Sequence, residues 1–160
     1  MDQVRVIYTL EDLPAPSLPT LFLAGPTPRH SHVLSWRPQA LRMIRRMGHE
    51  LNVFYPEPSG SASWDPDGVK HIRWERQALA RSHTILFWVP RNLKSMPAFR
   101  TNTEWGFWTA RNPDKLVLGF PPKAPGMKGM VDDAEYHGIP IAFSLSQTIT
   151  LAMEKLFSIH

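Results

Sequence analysis

Two carboxylates occupy helix positions that periodicity reserves for apolar side chains. The core-facing stripe of the helix predicted from Val69 comprises Ile72, Glu75, Leu79 and Ser82. In the next predicted helix, Glu104 lies in line with Phe107 and Trp108. An inward-facing carboxylate is costly unless it is paired, hydrogen-bonded or used in proton transfer or nucleophilic attack. Glu75 and Glu104 are therefore the leading candidates for carboxylate chemistry.

Structural roles compete with this interpretation at both positions. The run from Thr101 to Glu104 fits a capping box, in which the two side chains satisfy free backbone N–H groups. Glu75 could simply pair with Arg76 or Arg81. Both helices are expected to begin on the side of the sheet where ligands bind. Two inward-facing carboxylates on that side therefore favour a functional site more strongly than either carboxylate does alone.

Apolar runs and helical periods alternate along the chain. Strands are expected near residues 21–24, 51–55, 84–89, 115–120 and 139–143, with a further strand possible at 4–8. Helices are expected from Ser35 to Met47, and over 69–82, 101–111 and 146–157. This alternation predicts a single α/β domain over residues 1–160, with a doubly wound, mostly parallel five-stranded sheet and helices on both faces. Residues 1–19 are expected to form an extension or an edge strand.

Three long loops follow strands in this scheme, GPTPRHSH, PEPSGSASWDPDG and PRNLKSMPAFR. In open parallel sheets, ligands bind beyond the carboxyl ends of the strands, near the point where strand order reverses. These loops are therefore the expected ligand-binding side.

Composition excludes several functional classes. The 160 residues include no cysteine, which removes thiol chemistry, and no run approaches the length of a membrane span. A net charge of +4 could favour nucleic acid, but the basic residues are scattered, and Arg42, Arg45 and Arg46 are read as a solvated surface. The chain is expected to be cytoplasmic, without membrane or specific nucleic-acid partners. His30 and His32 lack further metal ligands, so neither a metal nor another cofactor is predicted.

A succession of motifs covers most of the chain, namely LFLAGPTPR, SWRPQAL, YPE, WERQAL, ILFWVPR, TNTEWGFW, LVLGFPP and GIPIAFSL. In order and placement they resemble the nucleoside 2-deoxyribosyltransferase-like family, which is related to nucleotide N-glycosidases. The resemblance implies a nucleoside or nucleotide substrate and a homodimer or higher oligomer. Hydrolysis and transfer both remain open.

The same resemblance implies roles for particular residues. Glu104 would attack the anomeric carbon of the sugar, Gly106 would allow close helix packing, and Glu75 would hold or donate the proton for the departing base. A helix N-terminus would keep Glu104 ionised at neutral pH. The mechanism would be that of a retaining glycosidase applied to an N-glycosidic bond.

Two departures from the family pattern bear on the substrate. Phe22 replaces an aromatic hydroxyl on the first strand, and no acid occurs between Asn92 and Thr103, where relatives have an additional Asp. Arg100, Thr101 and Asn102 are the polar residues left to replace that Asp. A cationic replacement favours an anionic substrate such as a nucleoside 5′-phosphate.

Substrate contacts are expected from the loop after the first strand and from arginines in the long loops. The candidates for phosphate are the backbone after Gly25 and Pro26, with Arg29, Arg91 and Arg100. Trp36, Trp64 and Trp105 could stack on the base, whereas Trp88 is assigned to the core. The alternatives are a non-catalytic nucleotide-binding or nucleotide-sensing module and, third, a nucleic-acid-associated accessory protein.

Overall fold

The computed structural model describes residues 2–60 and 62–158. Parallel strands alternate with helices along the described chain. The strands are β1 (Val4–Tyr8), β2 (Thr20–Ala24), β3 (Leu51–Tyr55), β4 (Thr84–Trp88), β5 (Leu116–Gly119) and β6 (Ile141–Ala142). The helices are α1 (Arg37–Arg46), α2 (Val69–Arg81), α3 (Phe99–Arg111), α4 (Lys128–His137) and α5 (Leu145–Leu156).

The strands form one sheet in the order β1-β3-β2-β4-β5-β6, and every neighbouring pair is parallel. This confirms the α/β doubly wound prediction, although the sheet has six strands rather than five. The additional strand is β1, which pairs with β3 in register from Val4 opposite Leu51. Strands β2 to β5 are buried along their whole length, as expected of strands covered on both faces.

Helices cover both faces of the sheet. On one face, α1 and α5 contribute Leu41, Ile44, Ile149 and Met153 to one apolar cluster. On the other face, α2, α3 and α4 pack around a second cluster that includes three tryptophans, Trp74, Trp105 and Trp108. Trp88 is buried in the first cluster, which confirms its assignment to the core.

Several predicted boundaries are corrected by the structure. Helix α1 begins at Arg37, although the Ser35 hydroxyl still accepts a hydrogen bond from the Arg37 N–H. Helix α4 was not predicted at all. The buried face of α2 consists of His71, Trp74, Ala78 and Leu79. The predicted stripe is therefore displaced by about one position at its start, and Ile72 is exposed.

The direction of strand order reverses at β2, because β3 lies on one side of it and β4 on the other. The chain segments that follow β2 and β4 consequently leave the sheet on opposite sides of a crevice. None of the helices in residues 2–60 and 62–158 combines the length and the apolar character needed to cross a membrane.

Candidate active site

A cavity of about 400 Å³ lies in this crevice. Its walls come from three separate chain segments, within 22–29, 64–75 and 97–104, together with Arg37 and Pro56. A volume of this size falls in the range of small-molecule sites. Glu75 and Glu104 both line it, although they are carried by different helices.

Glu75 and Glu104 lie close enough in the cavity wall for their carboxyl groups to interact directly. The side chain of Glu104 is 9% exposed, that of Glu75 is 16% exposed, and both belong to the cavity wall. The Arg100 Nε atom lies 3.4 Å from Glu104 Oε1 and 3.7 Å from Glu75 Oε2. One guanidinium therefore contacts both carboxyl groups from the cavity side.

The pKa of Glu104 is raised well above its ordinary value. Burial is the largest cause, the negative charge of Glu75 and the hydrogen bond with it add to the rise, and Arg100 and Arg37 oppose it. The expectation that a helix N-terminus keeps Glu104 ionised is therefore wrong. Helix α3 begins at Phe99, so Glu104 lies in the second turn, where the helix dipole has little effect.

The same boundary excludes the capping box. The N-cap of α3 is Ala98, which has no side-chain cap hydrogen bond, and Thr101 is a buried residue inside the first turn. Ala98 adopts a left-handed conformation with φ 62°. The N–H groups of the first turn that follows it have no intrahelical acceptor, and this turn lines the cavity beside Glu104.

Arg37 is a functional candidate that the sequence analysis missed. Its side chain is 1% exposed, and it holds together the segments that form the cavity floor. Nε donates to Leu23 O at 3.0 Å, Nη2 donates to Gly25 O at 2.7 Å, and Nη1 pairs with Glu57 at 2.9 Å. Arg37 thus fixes the loop after β2 to the end of β3.

His71 is a second residue that was missed, and it fixes the position of the loop before α2. The Asp65 N–H donates to His71 Nε2 at 2.6 Å, so the ring proton lies on Nδ1, which faces Thr9 Oγ1 at 2.9 Å. The His71 ring also packs against Trp64, with 4.7 Å between ring centroids. Trp64 is thereby positioned at the cavity wall, as a stacking role requires.

The mouth of the cavity is positively charged. The Arg29 guanidinium lies over the ring of Phe99, 5.6 Å from its centroid, and both residues line the cavity with Arg100. Phe22 also lines the cavity, where it presents no hydrogen-bonding group. This arrangement can accept an anionic group near the first turn of α3.

Gly25 and Pro26, predicted to contact substrate, line the cavity, and a glycine is required at position 25. It has φ +147°, and a Cβ atom at this position would lie 2.1 Å from Trp88 O and 2.9 Å from the Trp36 ring. Trp36 supports this loop from behind, since its indole N–H donates to Pro26 O at 3.0 Å. Trp36 is thus placed outside the cavity lining, where it cannot stack on a base.

Three other predicted residues lie away from the cavity. Trp105 is buried in the core, where its ring meets Phe87 and its N–H donates to Asp133. Arg91 is buried and donates to Gly126 O at 2.7 Å and to the Asn102 side chain. Stacking by Trp105 and substrate contact by Arg91 and Asn102 are therefore corrected to structural roles.

Two further features bear on the chemistry. A Cβ atom built at Gly106 meets nothing within 4 Å, so the expectation that Gly106 allows close helix packing is wrong. In the part of the chain that the structure describes, no cluster of three or more metal-ligand side chains occurs. The carboxyl groups among the residues that line this cavity are those of Glu75 and Glu104.

A family model described as nucleoside 2-deoxyribosyltransferase like matches residues 18–123, which include both glutamates and the first turn of α3. No curated protein matches the chain.

Proposed function

Because the chain belongs to the nucleoside 2-deoxyribosyltransferase-like family, we propose that it cleaves or exchanges the N-glycosidic bond of a nucleoside or nucleoside 5′-monophosphate. The observation that carries this proposal is the adjacent pair of Glu75 and Glu104, which share Arg100 in the wall of the 400 Å³ cavity. Paired carboxyl groups, one a nucleophile and one an acid, are what glycosidic bond cleavage with a covalent intermediate requires.

In the proposed reaction, a Glu104 oxygen bonds to C1′ of the sugar while the bond from C1′ to the base nitrogen breaks. The departing nitrogen takes the proton that Glu75 holds, so a neutral base leaves and Glu75 becomes ionised. The glycosyl ester is then resolved by water, which gives hydrolysis, or by a second base, which gives transfer. Glu75 recovers the proton from the attacking molecule.

The raised pKa of Glu104 favours the proton on Glu104 at rest, so the proposed attack requires transfer of that proton to Glu75. A pair of carboxyl groups that share one proton has two forms of equal total charge, and only the form with the proton on Glu75 is reactive. The raised pKa of Glu104 reflects the cost of ionising both groups in a buried site. Arg100 lies close enough to stabilise the remaining negative charge.

The positive mouth of the cavity supports an anionic substrate. Arg29, Arg100 and the first turn of α3 line the same cavity as the glutamates, and Arg29 lies over Phe99 at the start of that turn. A 5′-phosphate held at the mouth would leave the sugar near Glu104. Trp64 offers the ring face for the base.

The test is base release from a panel of ribo- and deoxyribonucleosides and their 5′-monophosphates, with and without a free acceptor base, followed by chromatography. Release by the wild type that is lost in Glu104→Gln, but retained in the exposed-site control Glu50→Gln, supports the proposal. An adduct on Glu104 detected by intact mass after an acid quench would identify the ester. Saturable binding of one compound without release would favour a nucleotide-sensing module instead.

A further inference from the structure

A second cavity of about 350 Å³ continues the groove between α2 and α3 beyond the glutamate pair. Arg100 and Glu104 line both cavities, so they form the boundary between them. The remaining walls come from the C-terminal halves of α2 and α3, on the side away from Trp64 and Arg29. The proposed reaction uses no other residue of this second cavity.

The second cavity is positively charged. Arg76, Arg100 and Arg111 line it, and among the residues that the structure describes neither Arg76 nor Arg111 forms an ion pair. The ammonium of Lys115 lies beneath its floor, 3.9 Å from the centre of the Trp108 ring. Burial, and then repulsion from Arg111, lower the pKa of Lys115 to about 8. Uncompensated positive charge of this kind favours an anion.

The floor of the same cavity is apolar and aromatic. Leu79 and Trp108 are buried there, whereas the Phe107 ring is 55% exposed and faces the groove beside Trp108. The Arg111 guanidinium lies 5.8 Å from the centre of the Phe107 ring. A flat ring can therefore lie against Phe107 while an anionic group on it reaches the arginines.

We propose that this second cavity is a separate ligand site for a flat aromatic molecule that carries one anionic group. A ligand in this site lies against Arg100, the guanidinium that contacts both glutamates, so its binding is coupled to the pair. The coupling rests on the proposed function, whereas the binding does not.

Phenyl phosphate is a minimal probe, and its binding can be measured by titration calorimetry, with inorganic phosphate as the comparison. The double variant Arg76→Ala/Arg111→Ala should weaken phenyl phosphate binding by about tenfold or more, since two charge-assisted contacts are lost. Phe107→Ala should weaken phenyl phosphate binding several-fold and leave inorganic phosphate unchanged. All three positions are at the surface of their helices, so the variants should fold.

Two controls separate this site from its alternatives. Arg73 is exposed on α2 and lines neither cavity, so Arg73→Ala should leave binding within about twofold of the wild type. Arg29→Ala removes a cation from the first cavity only, so it should leave unchanged the binding component that Arg76→Ala/Arg111→Ala weakens. Absence of saturable binding, an equal loss in Arg73→Ala, or a loss confined to Arg29→Ala would each overturn the proposal. Calorimetry needs no turnover, so a failure here is distinct from a failure to release base.

Discussion

Glu75 and Glu104 share one guanidinium, that of Arg100, in the wall of the cavity, although they lie on different helices. Two adjacent buried carboxyl groups cannot both ionise without a large electrostatic cost, so the pair retains a proton to higher pH than a solvated glutamate does. Arg100 contacts both groups and reduces this cost. The charge state of one pair thus bears on activity and on stability.

Base release should depend on pH as a bell-shaped curve. Below the optimum, a second proton on the pair blocks attack by Glu104, and above it the proton needed by the departing base is lost. Arg100→Ala should shift both limbs to higher pH, because Arg100 lowers the pKa of Glu104. Profiles of kcat/KM for the wild type, Arg100→Ala and the control Arg73→Ala test this. A wild-type rate that stays constant on the alkaline side would contradict a shared proton.

Glu104→Gln should stabilise the protein at pH 8 and not at pH 4. In the unfolded chain the carboxyl group ionises near its ordinary value of 4.5, whereas the folded protein raises the pKa of Glu104 and retains the proton. The free energy of unfolding therefore falls as pH rises between these two values. Removing the group should raise the free energy of unfolding at pH 8 by about 1–2 kcal/mol, which corresponds to several degrees in Tm.

Thermal unfolding of wild type, Glu104→Gln and Glu50→Gln at both pH values measures this effect. Glu50 is exposed, so its variant should follow the wild type. An equal Tm for Glu104→Gln and wild type at pH 8 would show that ionising Glu104 costs the fold nothing.

Arg37→Met should lower the free energy of unfolding by roughly 3–5 kcal/mol, the cost of breaking a buried ion pair. The substitution leaves the Glu57 carboxylate and the carbonyl groups of Leu23 and Gly25 without their donor. Urea denaturation beside Arg42→Met, at an exposed position of the same helix, measures it. Similar midpoints for the two variants would contradict a bridging role for Arg37.

Two glycines should respond in opposite directions to substitution by alanine. Gly25→Ala forces a Cβ atom against Trp88 O and should cost roughly 2–4 kcal/mol. Gly106→Ala meets open space inside a helix and should stabilise α3 by about 0.5–1 kcal/mol. Thermal unfolding of both variants tests this. A destabilised Gly106→Ala would indicate that position 106 packs against a partner.

Arg29→Ala should raise KM for a nucleoside 5′-monophosphate by about tenfold, as expected for loss of one charge-assisted contact, and change KM for the parent nucleoside little. The reason is the position of Arg29 at the cavity mouth, beside the first turn of α3. Steady-state kinetics on both substrates test whether Arg29 contacts the phosphate. The control is Arg5→Ala, at an exposed site. An equal rise for both substrates would assign Arg29 to the sugar or the base.

The sequence predicts most of the sheet because its strands are short apolar runs between turn residues. Helix α4 is not predicted, because it has few apolar residues and no capping residue to mark its start. Only Met130 and Ala134 are buried on it, it has no side-chain cap, and Gly129 lies in its first turn. A helix held mainly by two apolar contacts leaves little periodic pattern.

Some residues of the candidate site can be predicted from the sequence and others cannot. Which of the two applies depends on the part of the structure that buries each side chain. Glu104 was found because a charge interrupts an apolar stripe, and Arg37 carries the same signal, since it shares a helical face with Ala40, Leu41 and Ile44. Arg91 and Trp105 could not be placed from sequence. Their side chains are bound by α4 and the turn before it, through Met130, Gly126 and Asp133, and that helix had not been predicted.

The first cavity is lined by segments that are far apart in the chain and meet in the folded domain. A molecule that fills it therefore binds the native state and not the unfolded chain. By mass action, a ligand at one hundred times its Kd should add about 2.7 kcal/mol to the stability of the entire domain. The melting temperature is consequently a reporter of occupancy, and a library of metabolites can be ranked by it before any reaction is assayed.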